Sequence, residues 1–280
     1  MLNANGTAML SEYKTFLVDV VDKVAYVRLN RPKNANALNA TAWQELEQIF
    51  KAIDKSKEVR VAILSGEGKH FCAGIDLSML MSIRQESADE CEGRVRENIR
   101  DFVKALQAPI NAIENCRKPV LAAVHNAAVG GAIDIITACD MRYATEGAFF
   151  AIAEIDMGMV ADLGTLQRLP KIIGEGISRE LAYTGRRMYA AEAKEVGFVN
   201  KVYGDKETMM ADVTEIARMI ASKSPLSIRG TKQVLNFTRD HSVAEGLEYI
   251  ANWNAGMILS NDLNEAFMAK VQKRPAVFND

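Results

Sequence analysis

Three carboxylates stand where carboxylates are costly. Asp134 lies in Gly131-Ala132-Ile133-Asp134-Ile135-Ile136, Glu154 in Phe149-Phe150-Ala151-Ile152-Ala153-Glu154-Ile155, and Asp162 in Val160-Ala161-Asp162-Leu163-Gly164. An ionised carboxylate buried without partners costs several kcal/mol, so these apolar settings call for a reason. Three acids gathered at one apolar site would raise one another's pKa by desolvation and repulsion. That is how carboxyl groups come to exchange protons near neutral pH. Asp162 has a second reading, because Asp just ahead of a helix is a good N-cap.

Two glycine-bearing turns accompany the acids. The first is Phe71-Cys72-Ala73-Gly74-Ile75-Asp76-Leu77, and the second runs from His125 through Gly130-Gly131 to Asp134. Each follows an apolar run, and the second leads straight into a helix. Such turns either ease a tight strand-to-helix connection or present backbone N–H groups to an anion, helped by the helix dipole. N–H groups converging from two separate turns would make an oxyanion hole. Other chemistries lack their signatures. There is no G-x-S-x-G elbow, Gly66-Glu67-Gly68-Lys69 fails the phosphate-loop spacing, and no dinucleotide fingerprint occurs. Of His70, His125 and His241, only His70 has a potential co-ligand nearby, Cys72. With no further ligand cluster beside that pair, no metal is expected.

The elements that must position these groups follow from hydrophobic period. Phe16 to Val21 and Val24 to Leu29 read as a hairpin about Asp22-Lys23. Thr41 opens a helix to Ala52, Val59 to Leu64 and Val120 to Val124 are buried strands, and a long helix covers Asp89 to Cys116. A short apolar helix ends at Ala138, Asp140 begins a strand over Met141 to Ala144, and Phe149 to Ile152 is another. From Thr165 onward the pattern reads as almost wholly helical. Strand, loop, helix, strand in recurrence points to α/β layering with right-handed crossovers. No Gly/Ser linker, low-complexity tract or internal repeat breaks the chain, so a β-containing core over 1–205 and a helical region over 206–280 are expected.

The 280 residues are 49% hydrophobic and 25% charged, an ordinary globular composition. Lys and Arg total 34 against 36 for Asp and Glu, a net charge of −2, so no nucleic-acid partner is expected. No apolar run approaches the roughly 20 residues of a membrane span, so no membrane association is expected. Cys72, Cys91, Cys116 and Cys139 form no C-x-x-C pair, which suits a reducing compartment. Met1 to Tyr13 lacks the pattern of a signal or transit peptide, and the chain ends Phe278-Asn279-Asp280 rather than in a peroxisomal Ser-Lys-Leu. A cytoplasmic location is expected.

Several of these motifs, in this order, resemble the crotonase (enoyl-CoA hydratase/isomerase) superfamily. They are Leu29-Asn30-Arg31-Pro32 through Asn39, the turn at Phe71 to Leu77, Gly130-Gly131, Gly164 to Pro170, Gly185-Arg186-Arg187-Met188, and the close from Glu265 to Phe278. The resemblance covers about Phe16 to Phe278 and implies a ββα spiral core with a C-terminal helical trimerisation region. It also implies an oxyanion hole from the amides of Ile75 and Gly131. CoA, as part of the substrate, would lie against Ala73, Gly74, Asp76 and Leu77, with Lys33, Ala37 and Ala132 nearby and no separate cofactor. Hydratases of the family carry acids matching Asp134 and Glu154 but a glycine at Asp162. The set Asp134, Glu154 and Asp162, within Ala161-Asp162-Leu163-Gly164-Thr165-Leu166-Gln167, resembles that of the Δ3,5-Δ2,4-dienoyl-CoA isomerases of fatty acid β-oxidation. In that reading Glu154 takes a proton from C2, Asp162 returns one at C6, and Asp134 tunes Glu154. The implied assembly is a homotrimer or homohexamer, with Trp253, Met257 and Phe267 placed either in that interface or in plain intrachain core. An enoyl-CoA hydratase and a non-catalytic acyl-CoA-binding protein are the alternatives. Asn126 and Ala132 depart from glycines usual in the family.

Overall fold

The computed structural model describes residues 12–280. The chain opens with the antiparallel hairpin β1 (Phe16–Val21) and β2 (Val24–Leu29), turning on Asp22 and Lys23, both left-handed at φ 51 and 65. Helix α1 (Ala40–Lys55) is capped by Asn39, whose side chain accepts the Ala42 amide, and buries Trp43, Leu46, Ile49, Phe50 and Ile53 along one stripe. Strand β3 (Val61–Gly66) pairs parallel to β2, and α2 (Leu77–Glu86) and α3 (Glu92–Asn115) follow. Strands β4 (Val120–Val124) and β5 (Ala127–Val129) lead into α4 (Gly131–Ala138), β6 (Met141–Thr145) and β7 (Phe149–Ala151). Then come α5 (Thr165–Ile173), α6 (Glu175–Thr184), β8 (Met188–Tyr189), α7 (Ala190–Glu195) and β9 (Lys201–Tyr203). The chain closes with α8 (Lys206–Ala221), α9 (Pro225–Arg239), α10 (Val243–Met257) and α11 (Asn261–Val271).

Two sheets result. The larger has the order β1-β2-β3-β4-β6-β9, parallel beyond the first hairpin, and the smaller has the order β5-β7-β8. The continuous apolar runs of β3 and β4 are explained by burial on both faces. Ala62, Leu64, Val120 and Ala122 face the main core, while Val61, Ile63, Leu121 and Ala123 face Met209, Val213 and Ala217 of α8. Helix α8 is thus the cover of the sheet's second face.

The expectation of an almost wholly helical chain beyond Thr165 is corrected by β8 and β9, which add edges to the two sheets. Both are three residues or fewer, too short to show a period of two. Strand β5 also escaped the sequence pattern for that reason, and it has the larger consequence. Cys72 bridges to Ala128 of β5, with the Cys72 amide donating to Ala127 O at 3.0 Å and the Val129 amide to Cys72 O at 3.1 Å. A second bridge joins Leu38 to Ile75. The sequence-distant turns at 71–77 and 125–131 are therefore stitched side by side by backbone hydrogen bonds.

Candidate active site

The site is assembled where those two turns meet. Leu38 donates to Gly74 O at 2.8 Å and accepts from the Asp76 amide at 3.0 Å, so the Ile75 N–H between them faces away from that bridge. Gly131 is the first residue of α4, and its N–H has no intrahelical partner. Neither amide donates to another group among the described residues. The close approach depends on glycine: a Cβ at Gly74 (φ +89) would lie 2.6 Å from Val129 O and 3.3 Å from the Gly131 nitrogen. A Cβ at Gly131 would lie 3.7 Å from the Ile75 nitrogen and 3.4 Å from the Trp43 ring. Two free amides from separate turns thus adjoin over a buried indole.

The carboxylates border the same place. Glu154 begins the short 3₁₀ turn after β7, half-buried, with Oε1 3.3 Å from where a Cβ on Gly130 would stand. Its Oε2 is buried and, among the described residues, has no hydrogen-bond partner. Desolvation, together with the charge of Asp162, raises its pKa above the ordinary carboxylate value. Asp134, 1% exposed in α4, has its pKa raised to about 7, by burial first and then by Glu154 and Asp162. Asp162, in the loop before α5, is exposed, and partial desolvation raises its pKa as well. The charges of both other acids act on Asp134, while of the two only Asp162 acts on Glu154.

Asp134 also carries a structural duty that its apolar context concealed. Its Oδ1 accepts from both the amide and the hydroxyl of Thr165, each at 2.7 Å, and so satisfies the first turn of α5. The N-cap position of α5 is Gly164, with no side-chain cap, so the N-cap reading of Asp162 does not hold. Thr165 and Gln107, whose Nε2 donates to Asp162 O at 2.7 Å, are site residues the sequence reading missed. The signal for Thr165 was indirect: a buried Asp demands a donor.

The anticipated binding positions are distributed as follows. Lys33 is exposed on the Pro32–Asn34 turn, Ala73 and Leu77 are exposed, Ala37 is half-buried, and Gly74 and Ala132 are buried. Asp76 is committed to protein partners: it pairs with Arg31 at 3.1 Å and accepts from Ser78, which together hold its carboxyl below the usual range. Asn126 sits in the left-handed region at φ 52, where Asn is among the tolerated residues, and ties its side chain to Lys69 O.

The family model for enoyl-CoA hydratase/isomerase matches residues 20–280. The chain belongs to that family. Among curated members of the enoyl-CoA hydratase/isomerase family, it is 48% identical to the peroxisomal Δ3,5-Δ2,4-dienoyl-CoA isomerase of Arabidopsis thaliana, over 96% of this chain and 98% of the relative. It is 43% identical to the mitochondrial Δ3,5-Δ2,4-dienoyl-CoA isomerase of Homo sapiens, over 97% of this chain and 83% of the relative. The crystal structure of an enoyl-CoA hydratase from Bacillus anthracis superposes with a TM-score of 0.85 at 32% identity, covering 95% of this chain and 99% of that one. The cytoplasmic expectation is corrected by these relatives, which are peroxisomal and mitochondrial. The four free thiols distinguish a reducing from an oxidising compartment, but not the cytosol from an organelle matrix. Among the described residues, no helix is long and apolar enough to cross a membrane.

The raised pKa of Asp134 makes a stability prediction. An acid whose folded pKa lies above its unfolded value costs nothing below the unfolded pKa, and the cost grows until pH passes the folded pKa. Asp134→Asn keeps an oxygen for Thr165 and removes the ionisation. Its melting temperature is expected to match that of the parent protein near pH 4 and exceed it at pH 8, by roughly 2–4 kcal/mol of stability. Parallel pH profiles for the two proteins would contradict the raised pKa.

Proposed function

We propose that this family member is a Δ3,5-Δ2,4-dienoyl-CoA isomerase, converting 3,5-dienoyl-CoA to 2,4-dienoyl-CoA in fatty acid β-oxidation. The observation that carries the reading is the free, buried Oε2 of Glu154 beside the Gly130-Gly131 turn, with a second acid, Asp162, on the exposed side. A thioester's α-proton is weakly acidic, so its removal needs charge stabilisation at the carbonyl oxygen. The N–H groups of Ile75 and Gly131 supply that, at roughly 3 kcal/mol for each donor. Glu154 takes the proton from C2, the charge delocalises along the diene, and Asp162 delivers a proton at C6. One proton leaves and one arrives, so the reaction balances without redox change and calls for no cofactor beyond the CoA of the substrate. Asp134 holds Thr165, and its raised pKa limits the negative charge beside Glu154. A hydratase needs two acids around one water and has no use for Asp162.

The CoA portion is assigned to the backbone of Ala73, Gly74, Asp76 and Leu77, with Lys33 and Ala37 at the rim and Ala132 beneath the acyl group. The 206–280 region is assigned to subunit contacts in a homotrimer or homohexamer. The exposed apolar side chains of α10, α11 and the turn between them, including Leu247, Leu259 and Phe267, support this, because patches of that kind mark interfaces.

The test presents purified protein with 3,5-dienoyl-CoA and with 2-enoyl-CoA, following conjugated-diene absorbance and hydration separately. Sedimentation of the same sample reports its assembly. Diene formation at rates well above hydration is the expected result. Fast hydration without diene formation would replace the proposal with a hydratase, and CoA binding without either reaction would replace it with a binding protein.

A further inference from the structure

The loop carrying Asp162 is held from outside the site by a charged clamp that the reaction as described does not use. Three side chains of one α3 face, Gln107, Asn111 and Glu114, spaced i, i+4, i+7, meet it. Gln107 takes the Asp162 carbonyl at 2.7 Å. Arg168, from α5, places Nη1 3.4 Å from Leu163 O, while its Nη2 donates to Asn111 Oδ1 at 2.9 Å and to Glu114 Oε2 at 2.6 Å. The guanidinium lies directly on the turn: a Cβ at Gly164 (φ +126) would stand 1.7 Å from Nη1. The second oxygen of Glu114 accepts from Arg239 at the end of α9, so the helical tail completes the clamp. Arg168 and Glu114 are 10% and 15% exposed and border a cleft of about 340 Å³ that also reaches Asp162.

We propose that Arg168, locked by Glu114, is a positioning residue for Asp162, fixing the backbone of residues 162–164 where the second proton is delivered. The inference rests on the isomerase reading above. Arg168 acts through geometry and not as a charge offered to substrate, because it is paired with Glu114 and its Nη atoms are taken by protein acceptors. The planar fork is what allows one side chain to reach Leu163, Asn111 and Glu114 together, and the ammonium of a lysine lacks that fork. The two flanking arginines outweigh desolvation and hold the Glu114 carboxyl below its ordinary pKa, so the clamp stays ionised through neutral pH.

The distinguishing readout is the ratio of two rates: solvent-deuterium exchange at C2 of 3,5-dienoyl-CoA, and formation of the conjugated 2,4-diene. Arg168→Lys and Glu114→Gln are measured beside Asp162→Asn, with KM and melting temperature for each. In both clamp variants diene formation is expected to fall at least 10-fold while C2 exchange and KM stay within about 3-fold, so the exchange-to-product ratio rises as it does in Asp162→Asn. Equal losses in both rates, or no loss in either, in folded clamp variants would overturn the positioning role. If Arg168→Lys fails to fold, Glu114→Gln decides alone by the same ratio. An unchanged ratio in Asp162→Asn would instead overturn the isomerase reading on which the inference stands.

Discussion

Glu154→Gln is expected to lower the turnover of 3,5-dienoyl-CoA by about 10³-fold and to abolish deuterium exchange at C2, since positioned proton transfer contributes typically 10²–10⁴-fold. The amide keeps the shape of the carboxyl but cannot accept the proton. Among the described residues Oε2 has no partner to lose, so the variant should fold with nearly the parent melting temperature. A folding defect is thus separable from a catalytic one. The parent enzyme should gain activity as pH rises through the range above the ordinary carboxylate pKa, because burial and Asp162 hold the Glu154 proton longer than usual. Loss of that acid limb in the variant marks Glu154 as the base. C2 exchange above a tenth of the parent rate in Glu154→Gln would remove it from that role.

Asp162→Asn is expected to separate the two halves of the reaction. Diene formation should fall by about 10²-fold or more, while C2 exchange continues and KM changes little, because the enolate still forms but lacks its terminal donor. The structure makes this a clean substitution. Asp162 is exposed and caps no helix, and the contact that holds its loop is made by its backbone carbonyl, which Asn retains. Stability should move by no more than roughly 0.5 kcal/mol, as for ordinary surface changes. Unchanged diene formation would leave Asp162 without a chemical role and return the chain toward the hydratases of its family.

How far the sequence foretold this arrangement depended on the length of the signal. The hairpin Phe16–Val21 and Val24–Leu29, the strand Val120–Val124 and the short helix ending at Ala138 were legible because hydrophobic period and turn residues agreed. The acids announced themselves as charges in apolar runs, and Asp134 and Glu154 are indeed withdrawn from solvent. What could not be read was adjacency. Strand β5 is three residues long, yet it lays Cys72 beside Ala128 and so helps bring Ile75 toward Gly131. Helix α2 begins within the motif at Leu77, and the sequence pattern did not single it out. The Arg168–Glu114 pair spans 54 positions between two helices, a separation that no local pattern encodes.

The meeting of Gly74 with Val129 O is backbone against backbone, with no side chain between them to lengthen, shorten or rotate. Swapping side chains around the site can therefore reshape it while the spacing of the two amides stays put. A designer could re-target this scaffold to bulkier or branched thioesters by altering its walls alone, keeping the anion cradle as a fixed template.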